Sequence, residues 1–200
     1  MAEEIRKVLV INGSPRAEQG MTDIIARRLL AGAEDAGACT EVLYPARMKI
    51  KSCVGCLRCW FKTPGTCRHK DDMPVLMAKL AEADLLVFAC PVYVDGMTGQ
   101  MKTMFARFVA YTPPFFEHPG ERTYHRRARD KEKRVVVICT CGFPERRHFD
   151  PIRLHFSRIC ENMGAVMLGE LLFPASSLIA SEPHLVEANR LGKLCPHCGR

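Results

Sequence analysis

The chain has 200 residues, enough for one compact domain with at most a short appendage. Hydrophobic residues make up 48% and charged residues 26%, an ordinary globular composition that excludes disordered, collagen-like and low-complexity structure. The net charge of +7 gathers in two segments, which favours an anionic ligand or acidic partner over nucleic acid, and no apolar run is long enough to span a membrane.

Residues 1–7 lead straight into the apolar run Val8 to Ile11, without the basic head, long apolar stretch and cleavage site of an export signal. A cytoplasmic location is therefore expected, and eleven cysteines in a reducing compartment point to metal or redox chemistry more than to disulfides. Val8 to Ile11 has no polar alternation, the pattern of a parallel strand covered on both faces. A loop through Arg16 follows, then a helix over 21–36 that places Met21, Ile24, Ile25 and Leu29 on one stripe before Gly37 stops it. Thr40 to Tyr44 is a second strand, and Pro45 opens about 27 residues of weak periodicity carrying four cysteines, a length that marks a functional loop.

Asp71 and Asp72 before Pro74 predict a helix to Glu82 with acids in its first turn. Leu85 to Cys90 is a buried strand, and Thr98 is the N-cap of a helix to Tyr111 whose core face carries Phe105 and Phe108. Residues 112–134 read as an irregular basic excursion, with seven Lys and Arg between Arg122 and Arg134 against Asp130 and Glu132. That segment is either a solvated loop or a docking site for a nucleotide phosphate or an acidic redox protein. Val135 to Cys139 is a strand, Asp150 and Pro151 cap a helix to Met163 that Gly164 ends, Ala165 to Phe173 is a fifth strand, and Ser181 to Pro183 opens a last helix that Gly192 terminates.

Five strands alternating with helices predict an α/β fold: a five-stranded parallel sheet with helices on both faces. Ligands of such sheets bind beyond the carboxyl ends of the strands, here the loops 12–22, 91–98 and 141–149. No internal repeat or second domain boundary is present, so residues 1–192 read as one domain containing the cysteine-rich loop 45–71, followed by a tail at 193–200. Neither G-x-x-x-x-G-K-[ST] nor G-x-G-x-x-G occurs, which argues against ATP chemistry and a standard dinucleotide fingerprint. Instead Gly13, Ser14, Pro15 and Arg16, then Gly20, Met21 and Thr22 at a helix start, offer backbone N–H groups, two hydroxyls and a guanidinium to an anion such as phosphate. Without a ligand, Ser14 and Pro15 shape a turn and Arg16 is solvated.

The segments Ile11 to Arg16, Cys53 through Asp72, and Cys90 to Tyr93 through Lys102 resemble, in order, the motifs of the NADPH-dependent FMN reductase and iron–sulfur flavoprotein branch of the flavodoxin-like superfamily. The resemblance spans residues 8–107. It implies a flavodoxin-like three-layer sandwich in which Ser14, Arg16 and Thr22 hold the FMN phosphate. The backbone of Pro91, Val92, Tyr93, Val94, Asp95 and Gly96 would lie along the isoalloxazine ring, with Tyr93 as the aromatic contact. A tight glycine-bearing turn would let backbone donors approach the flavin edge, and Cys141 and Gly142 form a third flavin-side loop. The resemblance also implies NAD(P)H as co-substrate and a homodimer or homotetramer.

Cys53, Cys56, Cys59 and Cys67 form C-x2-C-x2-C-x7-C, a spacing that lets three thiolates converge on an iron–sulfur cube while a fourth returns past a Pro-Gly turn. No acid opposes the seven Lys and Arg between Arg47 and Lys70, which would lower thiol pKa values and favour an anionic cluster. The resemblance implies a [4Fe-4S] cluster here; the residues alone are also compatible with zinc or with free thiols. Cys195 and Cys198 form one knuckle, half of a zinc or iron site, or an exposed tail with two free thiols. Cys141 to Arg147 fits the C-x5-R spacing of a phosphatase, but Pro144 removes an N–H and Glu145 repels phosphate there.

Three functions follow. The first is an FMN-dependent oxidoreductase that takes hydride from NAD(P)H, or single electrons through a cluster, and passes them to an unknown acceptor or redox protein. The second is a non-catalytic electron carrier. The third is a metal-binding redox sensor using Cys195 and Cys198.

Overall fold

A computed structural model describes residues 5–118, 120, 123–125 and 133–176. Strand β1 (Lys7–Asn12) runs into helix α1 (Met21–Asp35), and β2 (Cys39–Leu43) follows. Then come the one-turn helix α2 (Arg58–Phe61), helix α3 (Met73–Glu82), β3 (Leu85–Pro91) and helix α4 (Gly99–Ala106). A two-stranded hairpin, β4 (Phe116–Glu117) with β5 (Tyr124–His125), precedes β6 (Lys133–Thr140), helix α5 (Asp150–Met163) and β7 (Ala165–Phe173).

The main sheet is parallel throughout, in the order β2-β1-β3-β6-β7. It is the predicted five-stranded flavodoxin-like sandwich. Alternate strand residues serve opposite faces. Leu9, Ile11, Leu86, Phe88, Val135 and Val137 pack against α3, α4 and α5, whereas Val8, Val10, Val87 and Ala89 pack against Ile25, Ala26 and Leu30 of α1. Strand order reverses between β1 and β3, so their carboxyl ends open a crevice at that switch point.

Several local expectations are corrected. On α1 the inward stripe is Thr22, Ile25, Ala26 and Leu30, while Ile24 is 37% exposed; Thr22 turns inward because its hydroxyl meets that of Thr140 at 2.9 Å. Asp71 and Asp72 precede α3 instead of lying in its first turn, because their carboxylates reach back to the cysteine loop, accepting the N–H groups of Lys51 (3.0 Å) and Lys49 (2.7 Å). The helix predicted to Tyr111 changes at Arg107 to a 3-10 turn. There the carbonyls of Val109 and Thr112 accept the Trp60 indole N–H at 2.9 and 2.8 Å. The excursion 112–134 contains the β4–β5 hairpin, and β6 starts two residues early because buried Lys133 donates to the carbonyls of Ala81 and Ala83 at the end of α3. Asp150 is the first residue of α5 and makes no side-chain cap. The last predicted helix and the tail lie outside the described residues.

Candidate functional site

The first loop is wound tightly on itself. Asn12 Nδ2 donates to buried Asp23 at 3.1 Å while Asn12 Oδ1 accepts the Ser14 N–H at 3.0 Å. Ser14 Oγ accepts the Arg16 N–H at 3.2 Å and its carbonyl accepts from Ala17 at 3.0 Å, so Ser14 keeps its hydroxyl proton to donate elsewhere. Tyr44 Oη donates to Asp23 at 2.7 Å and Arg27 Nε at 2.6 Å, which pins this carboxylate below the loop.

Gly20 precedes α1 and supplies no side-chain cap, leaving the first-turn N–H groups of Met21 and Thr22 without intrahelical acceptors. A Cβ at Gly20 would stand 2.6 Å from Ser14 Oγ, so glycine is what lets the helix start approach the hydroxyl. Arg16 is exposed and its guanidinium donates to the Gln19 carbonyl at 3.1 Å. Ser14, Arg16, Gly20 and Met21 thus converge on one helix N-terminus, whereas the Thr22 hydroxyl points to Thr140.

The second loop is a two-residue turn. Tyr93 and Gly96 exchange N–H···O bonds at 2.9 and 3.0 Å, and the positive φ values belong to Val94 (50°) and Asp95 (55°). The tight turn does bear Gly96, but Gly96 closes it without a positive φ, and the strained position is the β-branched Val94. Val94 is fully exposed and Tyr93 48% exposed, and Pro91 and Val92 lie half-buried at the strand end. Thr98 joins loops one and two by donating to the Gly13 carbonyl at 2.6 Å.

In the third loop Cys141 is buried and Gly142 exposed. The Cys141 carbonyl accepts both the N–H and the hydroxyl of Ser176, at 2.7 and 2.9 Å. His148, absent from the sequence-based candidates, bridges loops two and three through Nδ1 and Asp95 Oδ1 at 2.7 Å, with the Phe143 ring stacked on it at 4.7 Å. No sequence spacing links residues 95 and 148; the three loops meet because β1, β3 and β6 are adjacent.

Cys53, Cys56, Cys59 and Cys67 line one small recess of about 20 Å³, together with His69 and Arg107. Cys53 and Cys56 are exposed, Cys67 is half-buried and Cys59, on α2, is buried. The Arg58 backbone N–H lowers the pKa of the Cys56 thiol, and the Arg68 charge adds to the effect. Cys59 moves the other way because it is buried, with the neighbouring thiols of Cys67, Cys53 and Cys56 reinforcing the shift. The expected lowering of thiol pKa values therefore holds for Cys56 and is reversed at Cys59.

Beneath the recess Arg107 and Asp71 form an ion pair in which each side chain is 1% exposed, with Nη1–Oδ2 at 2.5 Å and Nη2–Oδ1 at 3.2 Å. Neither residue was singled out from the sequence as a partner of the other. Among the described residues no group of three Cys, His, Asp or Glu side chains is placed to hold a single metal ion, and no helix is long and apolar enough to cross a membrane.

The fold and the three convergent loops define a flavodoxin-like α/β protein with a crevice at the β1–β3 switch point. The model of the NADPH-dependent FMN reductase family matches residues 6–176, and the chain belongs to that family. It is 36% identical over 101 residues to an iron-sulfur flavoprotein of Methanocaldococcus jannaschii, covering 50% of this chain and 51% of that protein. It is 31% identical over 103 residues to an iron-sulfur flavoprotein of Methanosarcina thermophila, covering 52% of each. The chain spans about half the length of the curated relatives it matches. Among solved structures, an azoreductase from Bacillus anthracis superposes with a TM-score of 0.69 at 14% identity, over 94% of this chain and 96% of that one. The Trp repressor binding protein from Bacillus subtilis does so with 0.57 at 20%, over 92% and 96%. At these identities the likeness is one of fold.

Proposed function

We propose that the chain is a cytoplasmic FMN-dependent oxidoreductase that accepts electrons from NAD(P)H and carries a [4Fe-4S] cluster on Cys53, Cys56, Cys59 and Cys67. The observation that carries this reading is the gathering of four cysteines, spread over fifteen positions, around one recess whose buried lining includes two polar atoms without hydrogen-bond partners among the described residues, Arg107 Nε and His69 Nε2. Soft thiolates with buried polar groups behind them suit an anionic iron–sulfur group.

FMN when bound supplies hydride and single-electron chemistry, and a cluster restricts its exchange to single electrons. The protein's own residues orient and shield. The Ser14 hydroxyl, the Arg16 guanidinium and the first-turn N–H groups of Met21 and Thr22 are the donors suited to a phosphate dianion. The turn from Tyr93 to Gly96, tied to the third loop through Asp95 and His148, and the wall at Cys141 and Gly142 would flank the ring. Residues 1–192 constitute the FMN-binding domain in this reading, with Cys195 and Cys198 on a tail. The active form is a homo-oligomer, and the acceptor is a small molecule or redox protein.

The test is the absorption spectrum of anaerobically purified protein, with flavin, iron and acid-labile sulfide assayed on the same sample. Flavin bands with a broad shoulder near 400 nm and about four irons per chain are expected. Rapid mixing with NADPH should then bleach the flavin. Absence of flavin would overturn the reading, and flavin without iron or sulfide after anaerobic reconstitution would remove the cluster from it.

A further inference from the structure

Arg107 stands at the junction of α4 and the 3-10 turn that follows it, directly behind the cysteine recess. Two of its three nitrogens are committed: Nη1 donates to Asp71 and to the Lys51 carbonyl at 2.7 Å, and Nη2 donates to Asp71. Nε has no hydrogen-bond partner among the described residues although the side chain is 1% exposed. An N–H buried without an acceptor is destabilising, and more so on a charged group.

His69, two residues beyond Cys67, contributes a second such atom to the same recess. A guanidinium used only to hold the fold would be satisfied by Asp71 and Lys51. This one is held by them at the edge of the thiol-lined recess with a donor left over.

We infer that Arg107, clamped by Asp71, donates its Nε–H to a sulfur of the group held by Cys53, Cys56, Cys59 and Cys67, and thereby retains that group and raises its reduction potential. The inference rests on the cluster reading above. A positive, hydrogen-bonding neighbour favours the more negative, reduced form of a cluster, which is the direction that raises the potential. Asp71 is the positioning residue: it fixes the plane of the guanidinium through its two oxygens.

The experiment compares anaerobically reconstituted wild type with Arg107→Lys and with the double variant Arg107→Gln/Asp71→Asn, which leaves no buried charge unpaired. Iron, sulfide and flavin per chain are measured, and the cluster and flavin midpoints are titrated separately by electron paramagnetic resonance and absorbance. The expected result is a lower cluster midpoint in both variants with an unchanged flavin midpoint. Loss of iron and sulfide with flavin content and circular dichroism unchanged also supports the inference, because a purely structural role would disturb the fold first. A full cluster with the wild-type midpoint in either variant overturns it. Wild type that holds no iron or sulfide after reconstitution overturns the cluster reading itself, a result distinct from equal midpoints.

Discussion

Thr98 ties the loop after β3 to the loop after β1: its hydroxyl donates to the Gly13 carbonyl at 2.6 Å while accepting the Met101 N–H at 3.4 Å. One buried oxygen caps α4 and holds the turn after β1. Glycine suits this close approach, since a Cβ at position 13 would crowd Met101 Cβ at 3.0 Å and Thr98 Oγ1 at 3.3 Å. Replacing Thr98 by Val removes a cap and orphans a buried carbonyl, for a loss of about 2 kcal/mol or more in urea unfolding. Thr98→Ser should stay within about 1 kcal/mol of wild type. A loss for Ser with wild-type stability for Val would mean that the methyl group, not the hydroxyl, matters.

The Asp71–Arg107 pair gives stability a defined pH dependence. Burial pushes the Asp71 carboxyl upward, but hydrogen bonds from Arg107, Lys51 and Met73 and the Arg107 charge outweigh it and hold the pKa below its ordinary 3.8. A carboxyl with its folded pKa depressed stabilises fully above the unfolded value, and that contribution disappears as pH falls through the folded one. Asp71→Asn should therefore cost about 3–5 kcal/mol at pH 7, where it leaves Arg107 unpaired. The gap to wild type should narrow below about pH 4. Curves that run parallel from pH 7 to pH 2 would show that the pair is not the titrating element.

Trp60 anchors the cysteine loop by donating to both Val109 and Thr112 carbonyls. Trp60→Phe retains the ring and loses the donor. Hydrogen exchange should accelerate at the Lys62 and Thr63 amides, which bond to the Arg58 carbonyl at 2.9 and 2.8 Å, while the β1 and β3 amides keep wild-type protection. Unchanged exchange at Lys62 would show that packing alone seats the loop.

Gly20→Ala places a methyl group against Ser14 Oγ. Gly20 has φ −89° and ψ 149°, which any residue adopts, so the effect is steric and local. FMN affinity, followed by flavin fluorescence, should fall about tenfold or more if Ser14 is a phosphate contact, equivalent to about 1.4 kcal/mol. Global stability should change by less than about 1 kcal/mol.

Val94 holds a left-handed conformation while wholly exposed. Val94→Asn should raise stability by about 0.5–1 kcal/mol, because asparagine tolerates this conformation better and no packing is given up. A fall in thermal midpoint would show instead that the valine side chain is held by something beyond its own turn.

Much of the sheet was legible because buried parallel strands are continuous apolar runs: Val8 to Ile11 and Leu85 to Cys90 lie within β1 and β3. Thr98 as an N-cap was readable from residue type, and its side chain does accept the Met101 N–H. The same local reading failed where a distant group competed. Thr22 turned inward to meet Thr140, 118 positions away. Asp71 left the start of α3 to meet Arg107, 36 positions away. His148 gained its place beside Asp95 only when β3 and β6 became neighbours.

The sequence by itself determined the alternation of strands and helices, the loops that end on one side of the sheet, and the spacing of the four cysteines, because these depend on local periodicity and residue chemistry. Only the tertiary structure decided which polar groups stand behind those cysteines. A buried arginine is tolerated where a carboxylate from another element faces it, and the meeting of Asp71 with Arg107 depends on how α4 packs against the cysteine loop, which no local pattern encodes.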